Sequence, residues 1–160
     1  MINKQIQATT RISSALIEKG ISHNMDTEND FSFISIDCEV KNNYNCDSII
    51  IISAEGSHIK ISTDHLSIYA PNCSDPVKIF DATLDVFANS PRVRISTYPN
   101  LKSLSIGVEK LISIDNKINE DDFYLSVADE ISAFMDLLVK SISLIELAVE
   151  KSNSGIKQAQ

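Results

Sequence analysis

Tryptophan is absent from this 160-residue chain, which holds only four glycines, four prolines, three cysteines and three histidines. So few, scattered glycines cannot build a phosphate cradle, and no P-loop, GxGxxG or GxSxG pattern occurs. Cys38, Cys46 and Cys73 are odd in number and form no CxxC pair, so they read as free thiols acting as small apolar groups in a reducing compartment. His23, His58 and His65 lack the i, i+4 spacing that aims two imidazoles at one ion. The acidic stretch Asp115–Glu120 is a poor calcium loop: Lys117 takes the third ligand position and no glycine stands at the sixth. Base is scarce too. Fourteen Lys and Arg against 22 Asp and Glu leave a formal charge of −8, which argues against partners that need a basic face, nucleic acid and anionic membrane alike. Long apolar runs are missing: Ile49–Ile52 is short, and Ile131–Val149 is broken by Asp136, Lys140 and Glu146. Met1–Gln5 lacks the apolar core of a signal peptide. The expectation is a soluble protein of a reducing compartment, in which nothing requires a catalytic set, a cofactor or a metal.

What is abundant is isoleucine, with 24 copies, in a chain that is 43% apolar. That suffices for one compact core, so residues 1–151 read as a single α+β domain followed by a frayed polar tail, 152–160. Ile2, Ile6, Ile12, Leu16 and Ile17 recur at helical intervals over residues 2–19, and Gly20 suits the left-handed residue that ends a helix, with Ile21 folding back. A polar loop is expected from Ser22 to Asp30. Ser32, Ile34, Ile36, Cys38 and Val40 then share one strand parity while Phe31 and Phe33 share the other. Ser48–Ala54 is β-branched enough for a central strand, Glu55-Gly56-Ser57 is turn chemistry, and Ile59 and Ile61 lie on one face of a returning strand. Leu66–Ala70 either continues that strand past a bulge or forms a short separate one.

Pro71–Ser74 breaks the chain, and Pro76 suits the first turn of a second helix whose stripe is Val77, Phe80, Leu84 and Phe87. Val93, Ile95 and Thr97 alternate with Arg92, Arg94, Ser96 and Tyr98, and a hairpin partner follows over Leu101–Ile114. Asn119 can cap a last helix whose first turn, Glu120-Asp121-Asp122, sets negative charge at the positive end of the helix dipole. Its apolar repeat runs through Phe123, Val127, Ile131, Phe134, Leu138, Ile142, Ile145 and Val149. If unbroken to Lys151 it would be roughly 48 Å long at about 1.5 Å per residue, longer than the roughly 39 Å diameter of a globule this size. It must bend near Ser141–Ser143 or project. Its second half is apolar nearly all round, more than one sheet can cover, which suggests a subunit or client interface or a sandwich against the first helix. Residues 115–150 also hold nine acids against two bases.

The order is thus helix, three-stranded antiparallel meander, helix, two-stranded hairpin, long helix. This order resembles the class I type III secretion chaperones of bacteria and the YbjN-type proteins that share their fold. Leu66–Pro71 is similar to the third-strand exit of such chaperones, Leu84–Asn89 to the end of their second helix, and Leu104–Ile114 to the hydrophobic strand that leads into their C-terminal helix. The resemblance implies a cytoplasmic homodimer, not an enzyme, that keeps the extended N-terminal segment of an effector soluble and export-competent. It implies dimer contacts at Val77, Phe80, Leu84, Phe87, Val93 and Ile95, and client contacts at Ile6, Phe31, Phe33, Ile49 and Ile51. Each of these also suits an ordinary core. A YbjN-type adaptor without a secreted client has the same sequence signature. A third reading is a small-ligand protein in which Arg92, Arg94 and Tyr98 grip an anion.

Overall fold

The computed structural model describes residues 3–40, 46–69, 92–98, 103–114 and 119–158. They form an α+β architecture with one six-stranded antiparallel sheet and two helices. Helix α1 spans Lys4–Glu18 and α2 spans Glu120–Gln158. The strands are β1 (Asn24–Glu28), β2 (Phe31–Val40), β3 (Cys46–Glu55), β4 (His58–Tyr69), β5 (Arg92–Tyr98) and β6 (Ser103–Ser113). Their spatial order is β1-β2-β3-β4-β6-β5.

Both ends of α1 follow from local chemistry. Asn3 caps the start: its Oδ1 accepts the Gln5 amide at 2.8 Å. At the other end Gly20 has φ +72°, its N–H reaches Ile17 O at 3.0 Å, and Ile21 N–H returns to Leu16 O at 2.9 Å. This pair of bonds is the left-handed closure expected of Gly20 and Ile21. Asn119 caps α2 as its sequence position suggests, accepting the Asp121 amide at 3.0 Å.

Isoleucine makes the core. Ile34 sits opposite Ile52, Ile36 opposite Ile50, and Ile52 opposite Ile61. All five are buried beneath Ile12 and Leu16 of α1 and Val127, Ala128, Ile131, Phe134 and Leu138 of α2. The ion pairs show that the helices run parallel: Arg11 binds Glu120 and Asp121, and eight residues on, Lys19 reaches Asp129 at 3.2 Å. Lys110 of β6 holds Glu130 in the same way. The acids concentrated near the start of α2 thus find partners on α1 and the sheet.

Gln5 pins α1 to the sheet. The β2–β3 pairing ends at Ile34 and Ile52, and at the next rung the Gln5 amide takes over. Its Oε1 accepts Ser32 N–H at 2.8 Å, and its Nε2 donates to Ser32 O at 2.6 Å and to Ala54 O at 3.4 Å.

The layout departs from the sequence expectation in three ways. Residues 22–30 are not all loop: β1 pairs with β2 through a two-residue turn at Asn29 and Asp30, with Asn29 at φ +55°. A strand with one half-buried apolar side chain, Met25, has no alternation to detect. The meander and the hairpin are not separate, because β6 pairs with β4 along its whole length. Leu66 does continue β4 past an irregularity between Thr63 and Leu66, and this shift lets one long strand serve both halves. Finally, α2 is continuous through Ser141–Ser143 and runs past Lys151 to Gln158, so the chain from Ser152 to Gln158 is helix rather than a separate polar tail. At about 1.5 Å per residue it is roughly 58 Å long. The expected helix carrying Val77, Phe80, Leu84 and Phe87 lies outside the described residues.

Two substitutions check this account by thermal or urea unfolding. Gln5→Ala is expected to cost about 1–3 kcal/mol, because the Ser32 amide loses its partner and the Ser32 carbonyl keeps only the Thr9 hydroxyl at 3.4 Å. Gly20→Ala should cost about 1 kcal/mol through backbone strain alone, since nothing lies within 4 Å of the added methyl.

Candidate binding surface

Both helices pack on one face of the sheet, and no described element covers the other. Alternation along β2 sends Ser32, Ile34, Ile36 and Cys38 under the helices and Phe31, Phe33, Ser35 and Asp37 to the outer face. On β3, Ile50, Ile52 and Ala54 lie under the helices while Ile49, Ile51, Ser53 and Glu55 alternate to the outer face, where Ser53 is itself buried by its neighbours. Four of the five expected client-binding residues therefore share this face. Phe31 is 41% and Ile49 53% exposed, and Phe33 and Ile51 are half-buried beside them. Ile6 does not join them. It lies half-buried on α1, in the helical layer on the far side of the sheet.

Sequence reasoning missed Leu111, which is 41% exposed. It pairs with Lys60 of β4, and its phase in a mixed apolar strand shows its face only once β6 is registered on β4. Missed too was the acidic border. Asp26 sits opposite Phe33 and Glu28 opposite Phe31, placements that need β1 to exist. Glu55 also belongs to this face, where the Ser53 hydroxyl donates to its carboxylate at 3.1 Å.

Of the expected dimer residues, Val77, Phe80, Leu84 and Phe87 lie outside the described residues. Val93 and Ile95 are on β5, in register with Val108 and Ile106. The anion-gripping candidates are on the same strand, with Arg92 opposite Glu109, Arg94 opposite Gly107 and Tyr98 opposite Ser103. Among the described residues β5 ends the sheet, with a ladder partner on one side only.

Other polar contacts among the described residues tie the helices and strands together. A groove of about 640 Å³ opens between the N-terminal half of α1, Gly56 and the start of α2. The Arg11 side chain lines it, hydrogen-bonded to Glu120 and Asp121 and 5.0 Å above the Tyr124 ring. The Glu120 hydrogen bond raises the Arg11 pKa, so the guanidinium stays charged. Burial pushes the Tyr124 phenol above its ordinary value, against the pull of Arg11. His23 shares hydrogen bonds with Ser13 Oγ at 2.6 Å and Ile21 O at 2.9 Å, and His58 with Ser57 at 3.0 Å. Among the described residues no three His, Cys, Asp or Glu side chains gather to hold a metal. Cys38 is buried, and that burial raises its thiol pKa, the reverse of what a nucleophile needs. No helix among the described residues is long and apolar enough to cross a membrane.

The outer face has a simple stability test in two adjacent residues. Ile49→Ala should change unfolding stability by no more than about 0.5 kcal/mol, whereas Ile50→Ala, at 0% exposure, should cost about 2–5 kcal/mol. Equal losses would mean that the outer face is covered after all.

Comparison with family models, curated proteins and solved structures finds no match for this chain.

Proposed function

We propose that the protein is a non-enzymatic, cytoplasmic holding chaperone of the secretion type. As a homodimer it binds a non-globular N-terminal segment of a client protein and keeps it soluble for export. The observation that carries this reading is the outer sheet face. Phe31 and Ile49 expose large apolar surface beside Phe33 and Ile51, on a layer that no described element covers. Exposed apolar groups grouped in this way, rather than scattered, mark a surface that binds something. The order of elements supports the family reading. A helix, paired strands, a hairpin joined to the sheet at β6 and a long closing helix follow the layout of class I chaperones, although β1 adds a strand and the second helix falls outside the described residues. The edge of β5, unpaired among the described residues, and the positions of Val93 and Ile95 suit a contact between two copies.

Two measurements test the proposal. Light scattering should give twice the 17.7 kDa chain mass. The product of the neighbouring gene, expressed as its first hundred or so residues, should remain soluble with this protein. It should precipitate with the Phe31→Asp/Ile49→Asp variant, whose own melting temperature is unchanged. A monomer, or a variant that holds the segment as well as the wild type, would overturn the reading.

A further inference from the structure

The outer face also carries a charge pattern, and this inference rests on the reading of that face as the client surface. Its apolar groups form a diagonal: Phe31 and Phe33 follow one another on β2, then Ile51 lies level with Ser35 and Ile49 level with Asp37. Three steps of two residues make this ridge about 20 Å long at about 3.3 Å per residue.

Acids border the ridge. Glu28 and Asp26 are the register partners of Phe31 and Phe33, and Asp37 is the partner of Ile49. All three are exposed. The strands β1, β2 and β3 contain no Lys or Arg, and among the described residues these three acids make no ion pair. A partner lying on the ridge therefore meets the carboxylates of Asp26 and Glu28 along its β1 side and of Asp37 beside Ile49, while the lysine of this face, Lys60, lies beyond Ser53 on β4.

The backbone decides the form of that partner. Ladder N–H and C=O groups point in the plane of the sheet towards neighbouring strands, and at the middle of the ridge Ile34 and Ser35 are already paired to both β1 and β3, so a segment lying on this face meets no backbone groups to pair with. An extended segment lying there would leave its own amides without protein partners, while a helix satisfies them internally. Twenty ångströms of ridge correspond to about 13 helical residues. We infer that the outer face of β1–β3 docks a cationic amphipathic helix of the client, with its apolar stripe on Phe31, Phe33, Ile51 and Ile49 and its Lys or Arg residues beside Asp26, Glu28 and Asp37.

Calorimetric titration with two synthetic helical peptides of about 18 residues tests this. Both carry one leucine stripe, flanked by lysines in the first and by glutamates in the second. The lysine peptide should bind at least about tenfold more tightly and weaken as salt is raised from about 50 to 300 mM. Asp26→Lys/Glu28→Lys should weaken it about tenfold. Glu18→Lys/Asp136→Lys, the same charge change placed on exposed helix positions, should alter it by less than about threefold. Equal loss in the two double variants would overturn the inference, because net charge alone would explain the binding. Equal binding of both peptides, lost in Ile49→Asp, would remove the cationic preference yet leave the apolar client surface standing. Binding of neither peptide, while the neighbouring gene product is still held, would remove the helix and leave the holding function. A wild-type mass that falls to that of a monomer in Asp26→Lys/Glu28→Lys would instead make the face a contact between copies, and the inference would fail.

Discussion

Both helices lie on the same side of the sheet, and this one-sidedness governs the molecule. The layer between them is closed by isoleucines paired across β2, β3 and β4, with Ile12, Leu16, Val127 and Ile131 above them. Burying such side chains is worth about 1.5–3 kcal/mol each, and that gain is available only where a second layer excludes water. The helices are used up in covering one face, so the apolar residues on the other face have no described partner. The exposed Phe31 and Ile49 are a consequence of this architecture rather than local accidents.

The helical layer is held in register by polar contacts that act at its ends. Gln5 completes the rung that β2 and β3 do not make between themselves, with bonds of 2.6 and 2.8 Å to the Ser32 backbone. Asn3 adds a bond from its amide to Asp30 O at 2.6 Å, so the start of α1 is tied to the turn that joins β1 and β2. Farther along, Arg11 and Lys19 meet acids of α2 in the order that parallel helices require. These surface ion pairs add little stability individually, but they match the two helices in direction and offset. The negative charge near the start of α2 is thereby partly neutralised, while Asp26, Glu28 and Asp37 make no ion pair among the described residues.

This distribution links the fold to the proposed activity. In the proposed reading, carboxylates border the apolar diagonal of a chain of net charge −8, and their repulsion would oppose self-association through that face. The same carboxylates would select among partners, rejecting acidic segments and favouring basic ones. Past Leu138 the described side chains of α2 that reach solvent include Val139 and Leu147, at 44% and 51% exposure. These two side chains therefore offer apolar surface beyond the core.

Some of this was legible in the residues alone. The end of α1 at Gly20, the cap at Asn119 and the opposite parities of Ile34 and Phe33 depend on neighbours within a few positions in the chain. Backbone sterics and strand alternation therefore determined them without reference to the rest of the fold. The tertiary structure decided what depends on distant pairing. Asn24–Glu28 is a strand because the edge of β2 was open to it, although NMDTE has almost no strand signal of its own. The meander and hairpin became one sheet because β6 found the long β4. The same pairing showed that Leu111 belongs to the outer face, and that Asp26 and Glu28 stand beside the two phenylalanines. It also placed Ile6 in the other layer, away from the residues with which its composition grouped it. Sequence periodicity determines which side chains share a face of one element; only packing decides which faces meet and which is left to bind something else.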